Sequence, residues 1–218
     1  SFSVSSHVNA WQDVDLSVAE ANKKTVEKRE FELKLIGQLN QVNASIAATA
    51  AEVVGVSEEQ IRAALKKFSG ISRRFEFKGE EKGIKIFDDY GHHPTAIKAT
   101  VNAAKEKFSE NKVWLVYQPH MFTRTKYLFR EFVETFKSLD IHEVILLDIF
   151  AARQENKENI SSLDIVKTAH KDHIKYVGDF EATASYLANN LAFGDVVLMM
   201  GAGDVYKLSR LLLEKLKK

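Results

Sequence analysis

The sequence predicts an α/β fold, with a mostly parallel sheet and helices on both of its faces. Three observations carry that prediction. From residue 70 onward, short apolar runs alternate with segments whose apolar residues recur at helical spacing. Two of those runs, Val113–Tyr117 and Val196–Met200, have no polar alternation, as expected of strands covered on both faces. The turns that leave the runs are rich in carboxylates, imidazoles and aromatic rings, and α/β proteins place ligand chemistry at such strand ends.

Taken in order, the elements support this reading. Phe2 and Val4, then Val14, Leu16 and Val18, alternate with polar residues and read as short antiparallel strands. Phe31, Leu33 and Leu35 continue the alternation until Gly37 breaks it. Asn40 and Asn43 precede an alanine-rich helix carrying Ala47, Ala50, Ala51 and Val54, which ends at Gly55. Ser57 followed by Glu58 and Glu59 is a helix cap with acids in the first turn. The apolar face of that helix is Ile61, Leu65 and Phe68, and Ser69–Gly70 closes it. A domain boundary is expected near residues 70–74, separating 1–70 from 71–218. Beyond it a hairpin (Phe75–Phe77 and Ile84–Phe87) leads into the alternating region. Helices carry Ile97, Val101, Ala104 and Phe108, then Leu128, Phe132 and Phe136, then Leu163–Ala169, then Ala182–Leu191. Strands are expected at Val113–Tyr117, Val144–Leu147, Tyr176–Val177 and Val196–Met200. A last helix shows Val205, Leu208, Leu212 and Leu216.

Composition removes several function classes. Lys plus Arg is 31 against 30 for Asp plus Glu, a net charge of +1, so no nucleic-acid or membrane surface is expected. There is no cysteine, which excludes disulfides and thiolate chemistry and fits a reducing compartment. No apolar run approaches the roughly 20 residues of a membrane helix. Ser1–Val4 lacks the basic start and long apolar core of a signal peptide, and a chain opening on serine reads as trimmed or as a piece of a longer one.

The chemistry concentrates in Asp88–Asp89–Tyr90–Gly91–His92–His93–Pro94. Gly91 permits a sharp turn and Pro94 suits a first helical position. A carboxylate at a strand end can accept from ribose hydroxyls, a tyrosine can pack on adenine, and a histidine can donate to phosphate or carboxylate oxygens. The plainer alternative is that these residues cap the helix and face water. A metal site is disfavoured, because adjacent histidines point different ways and spacing supplies no third ligand. A second turn, Gln118–Pro119–His120–Met121–Phe122–Thr123–Arg124–Thr125, puts Arg124 near a helix start, where its charge opposes the dipole. Either an anion or a neighbouring acid would answer it. Arg73–Arg74 could grip phosphate in a fork geometry or be a solvated basic pair. Gly201–Ala202–Gly203–Asp204 could be an anion nest, or a tight turn with Asp204 as helix cap. No G-x-x-x-x-G-K-[ST] loop occurs, since none of the ten glycines is followed by lysine.

Five stretches taken together resemble the Mur ligase family. They are Phe68–Glu76, Asp88–Thr95, Gln118–Thr125, Asp148–Arg153 and Gly201–Asp204. Their order and spacing are similar over roughly residues 35–215, and the likeness is nearest to members that add L-alanine to UDP-N-acetylmuramate. The resemblance implies the end of a central ATPase domain over residues 1–70. It implies a Rossmann-like C-terminal domain over 71–218. It also implies a cytoplasmic, ATP-dependent carbon–nitrogen ligase of peptidoglycan precursor synthesis. ATP and Mg2+ would be used, with the phosphate loop and the main magnesium ligands outside this chain, so that the chain alone would not catalyse. Position by position, Asn40 and Asn43 match residues that read adenine. Arg74 matches an arginine near the ATP phosphates, and Asp89 matches a ribose-holding carboxylate. Tyr90 and His92 line the nucleotide and acyl-phosphate cleft, and His93 lies beside them on the substrate side. His120 and Arg124 match the turn that orients the amino acid. Arg74, His92 and Arg124 are thereby the expected catalytic residues. Two positions depart from the pattern: Leu39 stands where the family usually has histidine, and Met121 where many members have arginine, which leaves Arg124 more of the anion binding. A muropeptide-recycling ligase that attaches a tripeptide is the alternative within the family. Gln118–Pro119–His120 followed by Thr-Arg-Thr favours L-alanine, and Ala96 favours the tripeptide. A non-catalytic nucleotide-binding module is the alternative outside it.

Overall fold

The computed structural model describes residues 2–4 and 24–217. It divides into two compact units, Ser1–Ser69 and Gly70–Lys218.

In the first unit, β1 (Phe2–Val4) pairs with β2 (Lys24–Val26) in parallel, not antiparallel as the sequence suggested. A parallel pair needs an intervening crossover, so it cannot be a hairpin of neighbouring segments. Val14–Val18 lies outside the described residues. Phe31–Leu35 forms no strand, because the side chain of Gln41 takes up the backbone of Phe31. Its Oε1 accepts the Phe31 N–H at 3.0 Å and its Nε2 donates to the Phe31 carbonyl at 2.9 Å. Helix α1 runs Gln38–Val53, so Asn40 and Asn43 lie inside it, not before it. Gly37, at φ 87°, makes the entry turn, and the Asn40 side chain donates to the Ile36 carbonyl at 2.6 Å. Helix α2 (Glu58–Lys67) starts at the expected Ser57, which forms a reciprocal capping box with Gln60. Phe31, Ala44, Ala48 and Ile61 form this unit's core, and the guanidiniums of Arg29 and Arg62 lie over the Phe31 ring.

The second unit opens with a hairpin, β3 (Glu76–Glu81) and β4 (Ile84–Asp89). Its two turn residues, Lys82 and Gly83, have φ 51° and 75°, the left-handed pair that lets twisted strands stay in register. Then follow α3 (Pro94–Lys107), β5 (Val113–Tyr117), α4 (Phe122–Tyr127), α5 (Phe129–Ser138), β6 (Glu143–Leu147), α6 (Ser162–Ala169), β7 (Ile174–Gly178), α7 (Phe180–Asn190), β8 (Val196–Met200) and α8 (Tyr206–Leu216). The six-stranded sheet has the order β3-β4-β8-β5-β6-β7 and is parallel except for β3. Leu128 is the joint between α4 and α5, so the helix expected to carry it is two short ones.

Strand alternation builds two cores. Val113, Leu115 and Tyr117 face α3, α5 and α6, packing with Ile97, Val101, Phe132, Phe136 and Ile165. Trp114 and Val116 face α7 and α8, packing with Leu187, Leu208 and Leu212. Helices therefore cover both faces. The last strand, β8, is inserted between β4 and β5, and the ends Asp89, Met200 and Tyr117 lie in register. The chain leaves β4 and β5 toward one face and β8 toward the other. A crevice opens at such a topological switch point, beyond the carboxyl ends of the strands.

Candidate functional site

Both acidic residues at the end of β4 are buried, which rules out the plainer reading of water-facing acids. Asp88, fully buried, accepts the Arg73 Nε–H at 2.9 Å. The other two nitrogens of Arg73 donate to the carbonyls of Gly203 at 3.0 Å and Gly201 at 2.6 Å. The guanidinium also lies 5.1 Å from the Tyr90 ring and 5.0 Å from the Tyr206 ring. Burial pushes the Asp88 carboxyl above its ordinary range, opposed by the Arg73 hydrogen bond and charge. Asp89 organises the turn. One oxygen accepts the Phe75 N–H at 2.9 Å and the other the Gly91 N–H at 2.7 Å. Its carboxyl is likewise raised by burial, with the two N–H groups pulling the other way.

These bonds hold Arg74 in place. Its neighbours Arg73 and Phe75 are both left-handed, at φ 60° and 48°. The Arg73 N–H goes to Glu76 at 2.8 Å, and the Tyr90 N–H to the Arg73 carbonyl at 2.7 Å. Arg74 itself is exposed, 6.0 Å from the Tyr90 ring centroid, with no carboxylate in ion-pair range among the described residues. The basic pair thus splits into one arginine bound within the protein and one free to meet a ligand.

Next come the imidazoles. His92 Nδ1 lies 3.1 Å from the Tyr90 carbonyl. A carbonyl only accepts, so Nδ1 carries the hydrogen and Nε2 of the neutral ring keeps its lone pair. His93 turns away and caps α3, its Nδ1 accepting the Thr95 N–H at 3.4 Å. The His92 carbonyl accepts the buried Tyr117 hydroxyl at 3.0 Å. Across the crevice the His120 ring centroid is 6.2 Å from that of His92. His120 Nδ1 is 3.2 Å from an Arg124 nitrogen; arginine only donates, so Nδ1 accepts and Nε2 carries the hydrogen. Burial first, then the charge of Arg124, lowers the pKa of His120; burial also leads the lowering at His92. Arg124 has no carboxylate partner among the described residues. Together these groups offer a cation with no carboxylate partner among the described residues, a ring nitrogen that donates and a ring nitrogen that accepts.

The turn after β8 completes the edge. Gln118 donates to Asp204 Oδ1 at 3.0 Å and accepts the Val205 N–H at 3.1 Å, so the glutamine, not Asp204, caps the start of α8. Two carbonyls of the turn grip Arg73, a cation, where an anion nest was one expectation.

The family comparison decides what this arrangement belongs to: the description "Mur ligase, glutamate ligase domain" matches residues 73–203. The chain belongs to the Mur ligase family. A UDP-N-acetylmuramate–L-alanine ligase from Alkaliphilus metalliredigens is 41% identical over 184 residues, covering 84% of this Mur ligase chain and 39% of that relative. The chain therefore spans well under half the length of the curated relative it matches. Among solved structures, the UDP-N-acetylmuramate-alanine ligase of Thermotoga maritima has a TM-score of 0.70 at 25% identity, over 87% of this chain and 40% of that one. A murein peptide ligase from Psychrobacter arcticus has a TM-score of 0.59 at 26% identity, over 85% and 38%.

Within this Mur ligase chain, the second unit brings together Arg74, Asp89, Tyr90, His92, His120 and Arg124 at one sheet edge. Asn40 and Asn43 belong to the first unit, three residues apart on α1. Sequence reasoning missed Arg73 as an internal clamp, Gln118 as a cap and Phe150 as the ring under His120. Only Gly203 hinted at the last two. A Cβ there would fall 2.3 Å from Gln118 Oε1 and 2.7 Å from Phe150 Cγ. Among the described residues no group of three or more His, Asp or Glu side chains could hold a metal ion.

Proposed function

We propose that the chain is part of an ATP-dependent ligase that joins L-alanine to UDP-N-acetylmuramate in peptidoglycan precursor synthesis, in the cytoplasm. Residues 1–70 are the end of its ATP-binding domain and 71–218 its C-terminal domain. The observation that carries this reading is Arg124, held by His120 opposite the free nitrogen of His92 and lacking any carboxylate of its own among the described residues.

In this reading ATP phosphorylates the carboxylate of the sugar nucleotide, and the amine of alanine attacks the acyl phosphate with loss of phosphate. Arg124 takes the alanine carboxylate in a fork contact. His92 Nε2 accepts a hydrogen from the attacking amine, and the His120 Nε2–H donates to substrate oxygen. Arg74 meets ATP phosphate, and the exposed Tyr90 ring packs on the nucleotide. Asp89 accepts a ribose hydroxyl on the lone pairs its backbone partners leave, and Asn40 and Asn43 read adenine. A substrate contact by His93 would fall to its Nε2, since Nδ1 caps α3. Magnesium is held by residues outside this chain, and no step here depends on it.

The test is phosphate release with magnesium, ATP, UDP-N-acetylmuramate and L-alanine. The complete ligase should release phosphate only when alanine is present, and residues 1–218 alone should not. Alanine-dependent release by this chain alone would overturn the domain assignment. The likeness to a murein peptide ligase keeps tripeptide ligation as the second reading. Competition between L-alanine and the tripeptide separates the two.

A further inference from the structure

The segment after β6, Asp148–Gln154, has no role in the reading above, yet it holds the His120–Arg124 pair. The Phe150 ring is stacked on His120, centroids 5.5 Å apart and planes 18° apart. Their backbones are bridged as well. The Met121 N–H donates to the Phe150 carbonyl at 2.8 Å, and the Phe150 N–H to the Pro119 carbonyl at 2.8 Å. Phe150 also lies against Gly203, where any side chain would displace it. Gln154 reaches the first turn of α4, one residue from Arg124. Its Oε1 accepts the Thr123 N–H at 3.3 Å, and its Nε2 donates to Thr123 Oγ1 at 3.1 Å. Between them Ala152 and Arg153 are left-handed, at φ 48° and 71°, a conformation non-glycine residues keep only where the surroundings over-determine it. Asp148 anchors the other end by accepting the Tyr176 hydroxyl at 2.6 Å. His120 precedes α4, so its ring is held from outside the helix backbone, by the Arg124 side chain on one side and the Phe150 ring on the other.

We infer that Phe150 and Gln154 are positioning residues for the amino-acid subsite: the stacked ring sets the angle of His120, Gln154 sets the first turn of α4, and together they aim Arg124. The inference rests on the proposed alanine contact of Arg124. Misplacing a binding group by a fraction of its range costs affinity for the one substrate it meets and leaves distant subsites unchanged.

The experiment uses the complete ligase and compares F150L, F150Y, Q154A and R124A by KM for L-alanine and for ATP. F150L should raise the alanine KM about tenfold and Q154A about threefold, each with the ATP KM within about twofold of the parent. F150Y, which keeps the ring, should stay within about twofold on both. If F150L does not fold, Q154A decides alone. Unchanged alanine KM in F150L and Q154A, or equal rises for both substrates, with R124A still raising the alanine KM, would overturn this inference and leave the alanine reading standing. An alanine KM unmoved in R124A would overturn both.

Discussion

Arg73 and Arg74 are adjacent and chemically identical, yet their surroundings give them opposite roles. Arg73 is bonded to a buried carboxylate and two carbonyls. Removing it leaves the buried Asp88 carboxyl without its guanidinium partner. Arg73→Ala should therefore destabilise the protein by about 3–5 kcal/mol, the range for breaking a buried pair, measured by denaturant unfolding. Arg74→Ala should stay within about 0.5 kcal/mol of the parent in the same measurement while weakening ATP use. Equal losses of stability in the two variants would refute the division. The histidines add a pH dependence. His92 and His120 have folded pKa values below the ordinary 6.5, because burial disfavours their charged forms. The unfolded chain then binds more protons just below that pH. Their contribution is present at neutral pH and lost as pH falls through about 6.5 toward the lower folded values. The raised carboxyls of Asp88 and Asp89 act in the opposite sense, so the check is a difference: between pH 7.5 and 5.5 a His92→Gln, His120→Gln double variant should lose less stability than the parent.

At the scale of elements, turns at the carboxyl edge carry the tightest constraints. Gly201, at φ 146°, lies so close to the Gln118 carbonyl that a Cβ would sit 2.6 Å from its oxygen. At Gly203 the clash is with Gln118 and Phe150 together. Gly203→Ala should cost about 1–3 kcal/mol through overpacking and should also weaken alanine use, since the displaced ring is the one under His120. A variant that is stable and fully active would show that the turn is slack. The helices behave more conventionally. Phe136, fully buried on α5 against Tyr117, should cost about 3–5 kcal/mol as Phe136→Ala.

For the whole molecule, the two units have separate cores. Both sheet-facing clusters of the second unit lie within residues 70–218. That segment expressed alone should melt in one cooperative transition, followed by circular dichroism and calorimetry. A broad, non-cooperative melt would mean that its core depends on the first unit. Much of this unit was legible beforehand. Val113–Tyr117 and Val196–Met200 were read with the limits found, because a strand buried on both faces is a continuous apolar run bounded by polar turns. The start of α2 at Ser57 was equally plain, since a serine followed by acids is a local cap signal; the reciprocal bond to Gln60 came only with the structure. Less legible was the first unit, where a glutamine side chain supplanted a strand ladder at Phe31 and α1 began before its asparagines.

By itself the sequence determined the class of fold, the alternation of strand and helix, the loaded turns and the family, since each depends on residues close along the chain or on motifs in fixed order. Tertiary structure alone decided that β8 enters between β4 and β5, which arginine of the pair stays free, and which ring orients His120. Those outcomes depend on partners far apart in sequence: Arg73 meets Gly201 and Gly203 in the turn after β8, and Phe150 meets His120 from the segment after β6. Local propensity carries no information about such pairings; they exist only once the strands have found their order.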